Sequence, residues 1–203
     1  LALDHCKERI SLNKRVGRVS LLATVPEQAI LQDVIESIDW LNNNGMQSNN
    51  IVLVGQASTA GLINKIAHPK SRQLLFAKLD VVEPKHFGQV KGLVAYYPFC
   101  ALGRVPPASD LPYLAFIAGN DDLDNPYYGC QVAEAKRRGN IEFVFYENAK
   151  HAFDNQLYAG DKKLRGRNKV GETYTLEYSE DYQSMASAKI TEFLVGLTTR
   201  NNQ

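Results

Sequence analysis

Cysteine is scarce in this chain, which narrows the class of protein before any motif is considered. The 203 residues include only three cysteines, Cys6, Cys100 and Cys130. Three are too few for a disulfide scaffold, and their positions lack the paired spacing of a zinc site. We therefore expect no bound metal, and we expect each cysteine to be buried. A disulfide between Cys100 and Cys130 stays open as an alternative, because both follow strands that we predict to be neighbours.

Long apolar runs and an excess of charge of either sign are also absent. With 23 basic and 22 acidic residues the net charge is +1, so we expect no nucleic-acid partner. No run is long enough to cross a bilayer and no signal peptide is visible, so we expect no membrane partner. The first residues, LALDHC, are typical of the end of a strand, and we expect the domain to lack its N-terminal part. The sequence leaves the compartment, cytoplasmic or periplasmic, and the oligomeric state open.

The sequence does contain a regular alternation of strands and helices. Hydrophobic residues make up 44% of the chain, which is enough for a full core. Short apolar runs, typical of parallel strands covered on both faces, predict strands over residues 51–54, 90–97, 112–118 and 141–146. Helical spacing predicts helices over residues 26–43, 62–67, 126–138 and 178–197, whereas residues 68–89 show no clear period. The sequence thus predicts one domain over 1–203, an α/β fold with three α/β/α layers and a mostly parallel, doubly wound sheet.

The stretch IVLVGQASTAG, residues 51–61, predicts a strand, a tight turn and a helix. The residue at the tip of such a turn is held clear of the sheet, and it serves as a nucleophile when a histidine and a carboxylate reach it. The usual signature, G-x-S-x-G, fits irregularly, because counting from Gly55 puts Ala57 where the serine should stand. Either the turn carries one extra residue and Ser58 is the nucleophile, or Ala57 is the tip residue and the nucleophile has been lost.

A carboxylate and an imidazole follow later strands, where a nucleophilic serine would need them. Asp121 and Asp122 stand shortly after the predicted strand 112–118, and His151 follows the strand 141–146. Parallel strands present their carboxyl ends at one edge of a sheet, so we expect these groups to meet there. The chain order hydroxyl, carboxylate, imidazole is that of α/β-hydrolases, in which the imidazole moves the hydroxyl proton and the carboxylate orients the ring.

Six segments of the chain resemble the dienelactone hydrolase family of α/β-hydrolases, and together they span nearly its whole length. They are IDWLNNN, IVLVGQ, GLVAYYPFC, IAGNDDLDNP, ENAKHAFDN and YTLEYSEDYQSMASAKITEFL. By position, the family's catalytic acid falls on Asp122, with Asp121 as the fallback, and its catalytic histidine falls on His151. The family itself places a cysteine at the tip of the turn and its relatives often a serine, whereas this chain offers Ala57 or a shifted Ser58.

The resemblance implies a hydrolase that cleaves a small ester or lactone through an acyl-enzyme. In that mechanism Ser58 attacks the carbonyl carbon, His151 is the base and Asp122 is the acid. The backbone N–H of Thr59 would then belong to the oxyanion hole. The resemblance implies a small-molecule ester or lactone as partner and no cofactor. The alternative, favoured by Ala57 and by the missing early strands, is a catalytically inactive member that acts as a ligand-binding or protein-interaction module.

A cluster of basic residues follows the histidine segment. Lys162, Lys163, Arg165, Arg167 and Lys169 lie close together around a glycine. Two interpretations fit this pattern, a lid or contact for an anionic substrate and a solvated loop.

Overall fold

The structure, a computed structural model, describes residues 26–45, 51–78, 87–99, 108–123, 130, 138–167, 171 and 173–200. The helices of this part are α1 (Glu27–Asn43), α2 (Ser58–Ala67), α3 (Pro69–Lys78) and α4 (Glu180–Arg200). Its strands are β1 (Ile51–Gln56), β2 (Val90–Tyr96), β3 (Ala108–Ala118), β4 (Arg138–Tyr146), β5 (Leu164–Arg167) and β6 (Thr173–Leu176). Short 3₁₀ turns occupy Phe87–Gln89, Gln156–Tyr158 and Gly160–Lys162.

Strands β1 to β4 form one sheet in the order β1-β2-β3-β4, and each neighbouring pair is parallel. The carboxyl ends of these strands therefore lie at one edge of the sheet, which is where open α/β sheets place their sites. Strands β5 and β6 form a separate antiparallel pair. A parallel bridge between His151 and Leu176 connects β6 to the loop that follows β4. This bridge brings the small sheet next to the carboxyl edge of the large one.

Alternate residues of the central strands pack into two different hydrophobic clusters. Leu93 and Ala95 of β2 share a cluster with buried residues of α1, α2 and α3. Val94 and Tyr96 of the same strand share the other cluster with Ala186 of α4. Because successive side chains of a strand point to opposite faces, α1 to α3 cover one face of the sheet and α4 covers the other. The predicted α/β architecture, a parallel sheet flanked by helices, is confirmed.

The predicted strands each match one of β1 to β4, and the first and last predicted helices match α1 and α4. The prediction that residues 68–89 are irregular is wrong over Pro69–Lys78, which α3 occupies, and residues 79–86 of that range lie outside the described part. Only Leu75 and Phe76 of this helix are buried. Two adjacent apolar residues make no helical period, so the pattern could not indicate a helix.

Some predictions fall outside the described residues. Of the predicted helix 126–138, only Cys130 and Arg138 are described, and Arg138 begins β4. Cys130 is fully buried and disulfide-bonded. Cys6 and Cys100 lie outside the described residues, and so does the predicted bridge between Cys100 and Cys130. None of the helices in the described ranges is long and apolar enough to cross a membrane.

A buried polar pair joins α2 to β3 inside the core. Asn64 and Tyr113 are both almost fully buried, and the Tyr113 hydroxyl donates a hydrogen bond to the Asn64 side-chain oxygen. Burial raises the pKa of Tyr113 far above its ordinary value, so the phenol remains a donor. The Asn64 Nδ2 group has no hydrogen-bond partner among the described residues. This half-satisfied amide is destabilising, because an unpaired buried polar group is costly.

We expect Tyr113→Phe to lower the free energy of unfolding by about 1–3 kcal/mol, because the Asn64 side chain then loses its hydrogen-bond donor. The double variant Asn64→Leu/Tyr113→Phe should recover most of that loss, since it removes both polar groups together. Urea denaturation of the two single variants and the double variant measures the coupling. Additive losses in the double variant would contradict this account of the pair.

Candidate functional site

The turn after β1 has Ala57 at its tip. Ala57 has φ 49° and ψ −115°, and α2 begins at the next residue. Its N–H donates to the Tyr96 carbonyl of β2 at 3.2 Å, and its carbonyl accepts the Gly61 N–H at 3.3 Å. A residue with a side chain rarely adopts such a positive φ, and the strain costs on the order of 1–3 kcal/mol. The turn is therefore a strained feature fixed by hydrogen bonds on both sides.

Two neighbouring residues explain why the turn is so sharp. At Gly55 a Cβ atom would lie 2.7 Å from the Thr59 carbonyl oxygen and 2.7 Å from Ile63, so only glycine allows the helix this close. The Thr59 hydroxyl donates to the Gln56 carbonyl at 2.7 Å and accepts the Gln56 N–H at 2.8 Å. The sequence GQAST thus closes the turn by local contacts.

This geometry decides between the two alternatives for the nucleophile. Ser58 is the first residue of α2, its side chain is exposed, and it makes no hydrogen bond to any described residue. The prediction that an extra residue brings Ser58 to the tip is wrong, and Ala57 occupies the tip. The predicted oxyanion donor changes with it, because the N–H that follows the tip residue belongs to Ser58 and not to Thr59.

A buried hydrogen-bonded pair lies beyond the ends of β3 and β4. The Nδ1 atom of His151 lies 2.7 Å from Oδ2 of Asp121, and both side chains are buried. The second Asp121 oxygen accepts the Leu123 N–H at 3.0 Å. The other ring nitrogen of His151, Nε2, has no hydrogen-bond partner among the described residues. Asp121 therefore orients the imidazole and leaves Nε2 available to exchange a proton or to bind a ligand.

Asp122, the predicted acid, is not the partner of His151. Its carboxylate lies 2.9 Å from Lys150 Nζ and accepts the Thr175 N–H of β6 at 3.0 Å. Partial burial raises the pKa of Asp122, but the hydrogen bonds from Thr175 and Lys150 outweigh burial and bring the pKa below 3.8. The pairing of Asp122 with His151 is thus wrong, and the fallback Asp121 takes that place. Asp122 joins the large sheet to the small one.

Tyr97 and Asp154 complete the surroundings of His151, and neither is among the site residues predicted from the sequence. Tyr97 follows β2 with φ 40°, and its ring centroid lies 4.3 Å from that of His151. Its hydroxyl donates to Asp154 Oδ1 at 2.8 Å, and the Gln56 side-chain amide donates to the other oxygen. Burial raises the pKa values of both Tyr97 and Asp154. The sequence feature that could have indicated Asp154 is its position in the segment ENAKHAFDN, which also contains His151.

The arrangement supplies an oriented imidazole but no reactive side chain at the turn. His151 can transfer a proton through Nε2, and the N–H groups at the start of α2 can donate to an oxygen atom. The alanine methyl at the tip cannot attack a carbonyl carbon. Within the described ranges, no group of three or more His, Cys, Asp and Glu side chains is placed to hold a metal ion.

Comparison with known proteins gives no relative from which a function could be carried over. No family model matches the chain, and neither a curated protein nor a solved structure matches it significantly.

We expect Ala57→Gly to raise the free energy of unfolding by about 1 kcal/mol, because glycine adopts a positive φ without the strain that alanine bears. Urea denaturation measures the change. The matched control is Ala188→Gly at an exposed position of α4, which should lower the free energy of unfolding by about 1 kcal/mol. Losses of stability in both variants would show that Ala57 is not strained.

The raised pKa of Asp154 predicts a pH dependence of stability. Burial raises this pKa above 3.8, so the native state holds the proton more tightly than the unfolded state does. The resulting stabilisation is complete below pH 3.8 and is lost as the pH rises through the raised pKa. The free energy of unfolding of Asp154→Asn should therefore rise, relative to the unmodified protein, as the pH increases from about 4 to about 7.

Asp110→Asn is the control for this measurement, because its pKa shift has the opposite sign. The hydrogen bond from Arg72 lowers the pKa of Asp110, so its stabilisation is present above pH 3.8 and is lost as the pH falls. Relative to the unmodified protein, Asp110→Asn should lose stability as the pH rises from about 2 to about 4, and it should change little between about pH 4 and about pH 7. Urea denaturation at a series of pH values gives both slopes, and equal slopes would contradict the assignment.

Proposed function

We propose that this chain is an α/β-hydrolase-like protein that binds a small ester or lactone and forms no acyl-enzyme with it. The observation that carries the proposal is Ala57 at the tip of the turn after β1. Acyl transfer needs an oxygen or sulfur nucleophile at that point, and a methyl group has no lone pair to attack with. His151 and Asp121 remain paired at the carboxyl edge of the same sheet, so the proton-transfer groups are retained without the nucleophile.

The arrangement of the strands supports the hydrolase-like part of the proposal. A sharp turn after β1 leads into α2, a carboxylate follows β3, and an imidazole follows β4. Hydrolases of this class carry nucleophile, acid and histidine in that chain order, each after a parallel strand. The segments that resemble dienelactone hydrolases include Asp121 and His151, and the segment IVLVGQ ends directly before Ala57. The family assignment is a proposal that rests on these features together.

One unpartnered backbone N–H and one unpartnered imidazole nitrogen at the carboxyl edge of the sheet favour a carbonyl compound as the ligand. The Ser58 N–H and the Nε2 atom of His151 bond to no acceptor or donor among the described residues. The first N–H groups of a helix carry a partial positive charge that suits a carbonyl oxygen. The imidazole can donate to the same ligand when Nε2 carries the proton. An ester or lactone oxygen matches the Ser58 N–H, and it can also accept from Nε2 when the ring is the imidazolium ion.

Restoring a nucleophile tests the proposal directly. A fluorophosphonate should not label the unmodified protein, whereas Ala57→Ser should be labelled at the new serine. The same variant should hydrolyse p-nitrophenyl acetate about 100-fold faster than the unmodified protein, because His151 is already placed as a base. Intact-mass spectrometry and absorbance kinetics measure the two effects.

Two variants control this experiment. Ala57→Ser/His151→Ala should lose both labelling and turnover, and Ser58→Ala should leave the behaviour of the unmodified protein unchanged. Labelling of the unmodified protein that disappears in Ser58→Ala would instead establish Ser58 as a nucleophile and overturn the proposal. Binding itself is measured by NMR, with γ-butyrolactone shifting the His151 ring signals in the unmodified protein. Unchanged ring signals at saturating lactone would contradict the ligand class.

A further inference from the structure

The small sheet has one edge that is occupied and one that is open. On the β6 side, the Thr175 N–H donates to Asp122 at 3.0 Å, and the Glu177 N–H donates to the His151 carbonyl at 3.2 Å. On the β5 side, no described residue bonds to the outer backbone groups. Strand β5 is therefore an edge strand within the described part of the chain.

The register of the pair shows which backbone groups face outward from β5. Arg165 lies opposite Thr175, and Arg167 lies opposite Thr173. The Thr175 N–H points away from β5, to Asp122. Arg165 and Thr175 are therefore a non-hydrogen-bonded pair of the antiparallel ladder. The Arg167 pair, two residues along, is of the same kind. The N–H and carbonyl groups of both arginines thus face outward, with a repeat of about 7 Å.

The outer face of this edge strand is basic. Arg165 and Arg167 are exposed, and their spacing of two residues puts their side chains on the same face. The opposite face is filled, because a Cβ atom at Gly166 would lie 2.5 Å from the Tyr174 ring. Two further exposed lysines, Lys162 and Lys163, precede the strand, and Lys163 lies 3.8 Å from the Glu177 carboxylate. The open backbone groups and the positive charge therefore occur at the same residues.

We propose that β5 accepts an added strand from an acidic, extended segment of another protein. Aspartate or glutamate at alternate positions of that segment would lie opposite Arg165 and Arg167, where cross-strand pairs of opposite charge are favourable. A second copy of this chain is a poor occupant, because pairing β5 with itself would bring arginines close to arginines. The same charges that prevent self-pairing therefore select an acidic partner. This inference does not depend on the ligand proposed for His151.

A synthetic peptide of alternating glutamate and valine tests the proposal on the full chain. Fluorescence anisotropy measures its binding, and NMR hydrogen exchange follows single amides. We expect the peptide to bind and to slow exchange at the Arg165 and Arg167 amides, which are open in the free protein. A peptide of alternating lysine and valine should not bind. Arg165→Glu/Arg167→Glu should weaken binding about tenfold or more, because attraction becomes repulsion.

Two controls separate strand addition from simple charge attraction. Lys70→Glu/Lys78→Glu on α3 changes the net charge by the same amount at exposed positions and should leave binding unchanged. A glutamate peptide N-methylated at the pairing amides keeps its charge but cannot form the strand ladder, so it should not bind. Equal binding of the N-methylated peptide, equal weakening by the α3 variant, or unchanged exchange at Arg165 and Arg167 would each overturn the proposal.

Discussion

The close approach of α2 to β1 is the constraint on which the site depends. A side chain at Gly55 would meet the Thr59 backbone and Ile63 at 2.7 Å, so the chain enters the helix through a turn with no room to relax. Ala57 takes a positive φ as a result, and the packing of α2 on the sheet offsets the strain. The turn therefore fixes a methyl group, and no nucleophilic atom, at its tip.

The remaining side chains of the site are arranged around one imidazole. Asp121 holds Nδ1 of His151, and the Tyr97 ring packs against the imidazole. Asp154 receives hydrogen bonds from Tyr97 and Gln56, which follows from the ends of β1 and β2 lying side by side. Contacts from the residues that follow β2 and β3 thus limit how the ring can turn, and Gln56 of β1 acts only indirectly, through Asp154. Such preorganisation suits the recognition of a ligand even where the nucleophile is absent.

The sequence predicted those features that depend on local patterns. Short apolar runs indicate β1 to β4, and the parallel arrangement brings their carboxyl ends together, so a carboxylate meeting His151 could be predicted. The sequence could not predict which of the two adjacent aspartates, Asp121 or Asp122, meets His151, because the path of the loop decides it. That path is set by long-range contacts, the Asn120 N–H to the Ala149 carbonyl at 3.0 Å and the packing of Gly119 on Glu147. The contact between Tyr97 and His151 could not be predicted from the sequence either, since it joins residues far apart in the chain.

The most direct test of the central claim is an NMR measurement of which side chain at the turn faces the His151 ring. The account predicts a nuclear Overhauser effect between the Ala57 methyl protons and the ring Hε1 proton, and none from the Ser58 Hβ protons. This result would place the methyl group next to the imidazole ring, in the position that a nucleophile would occupy. An effect from the Ser58 Hβ protons, with none from the Ala57 methyl, would contradict the claim and return Ser58 to the role of nucleophile.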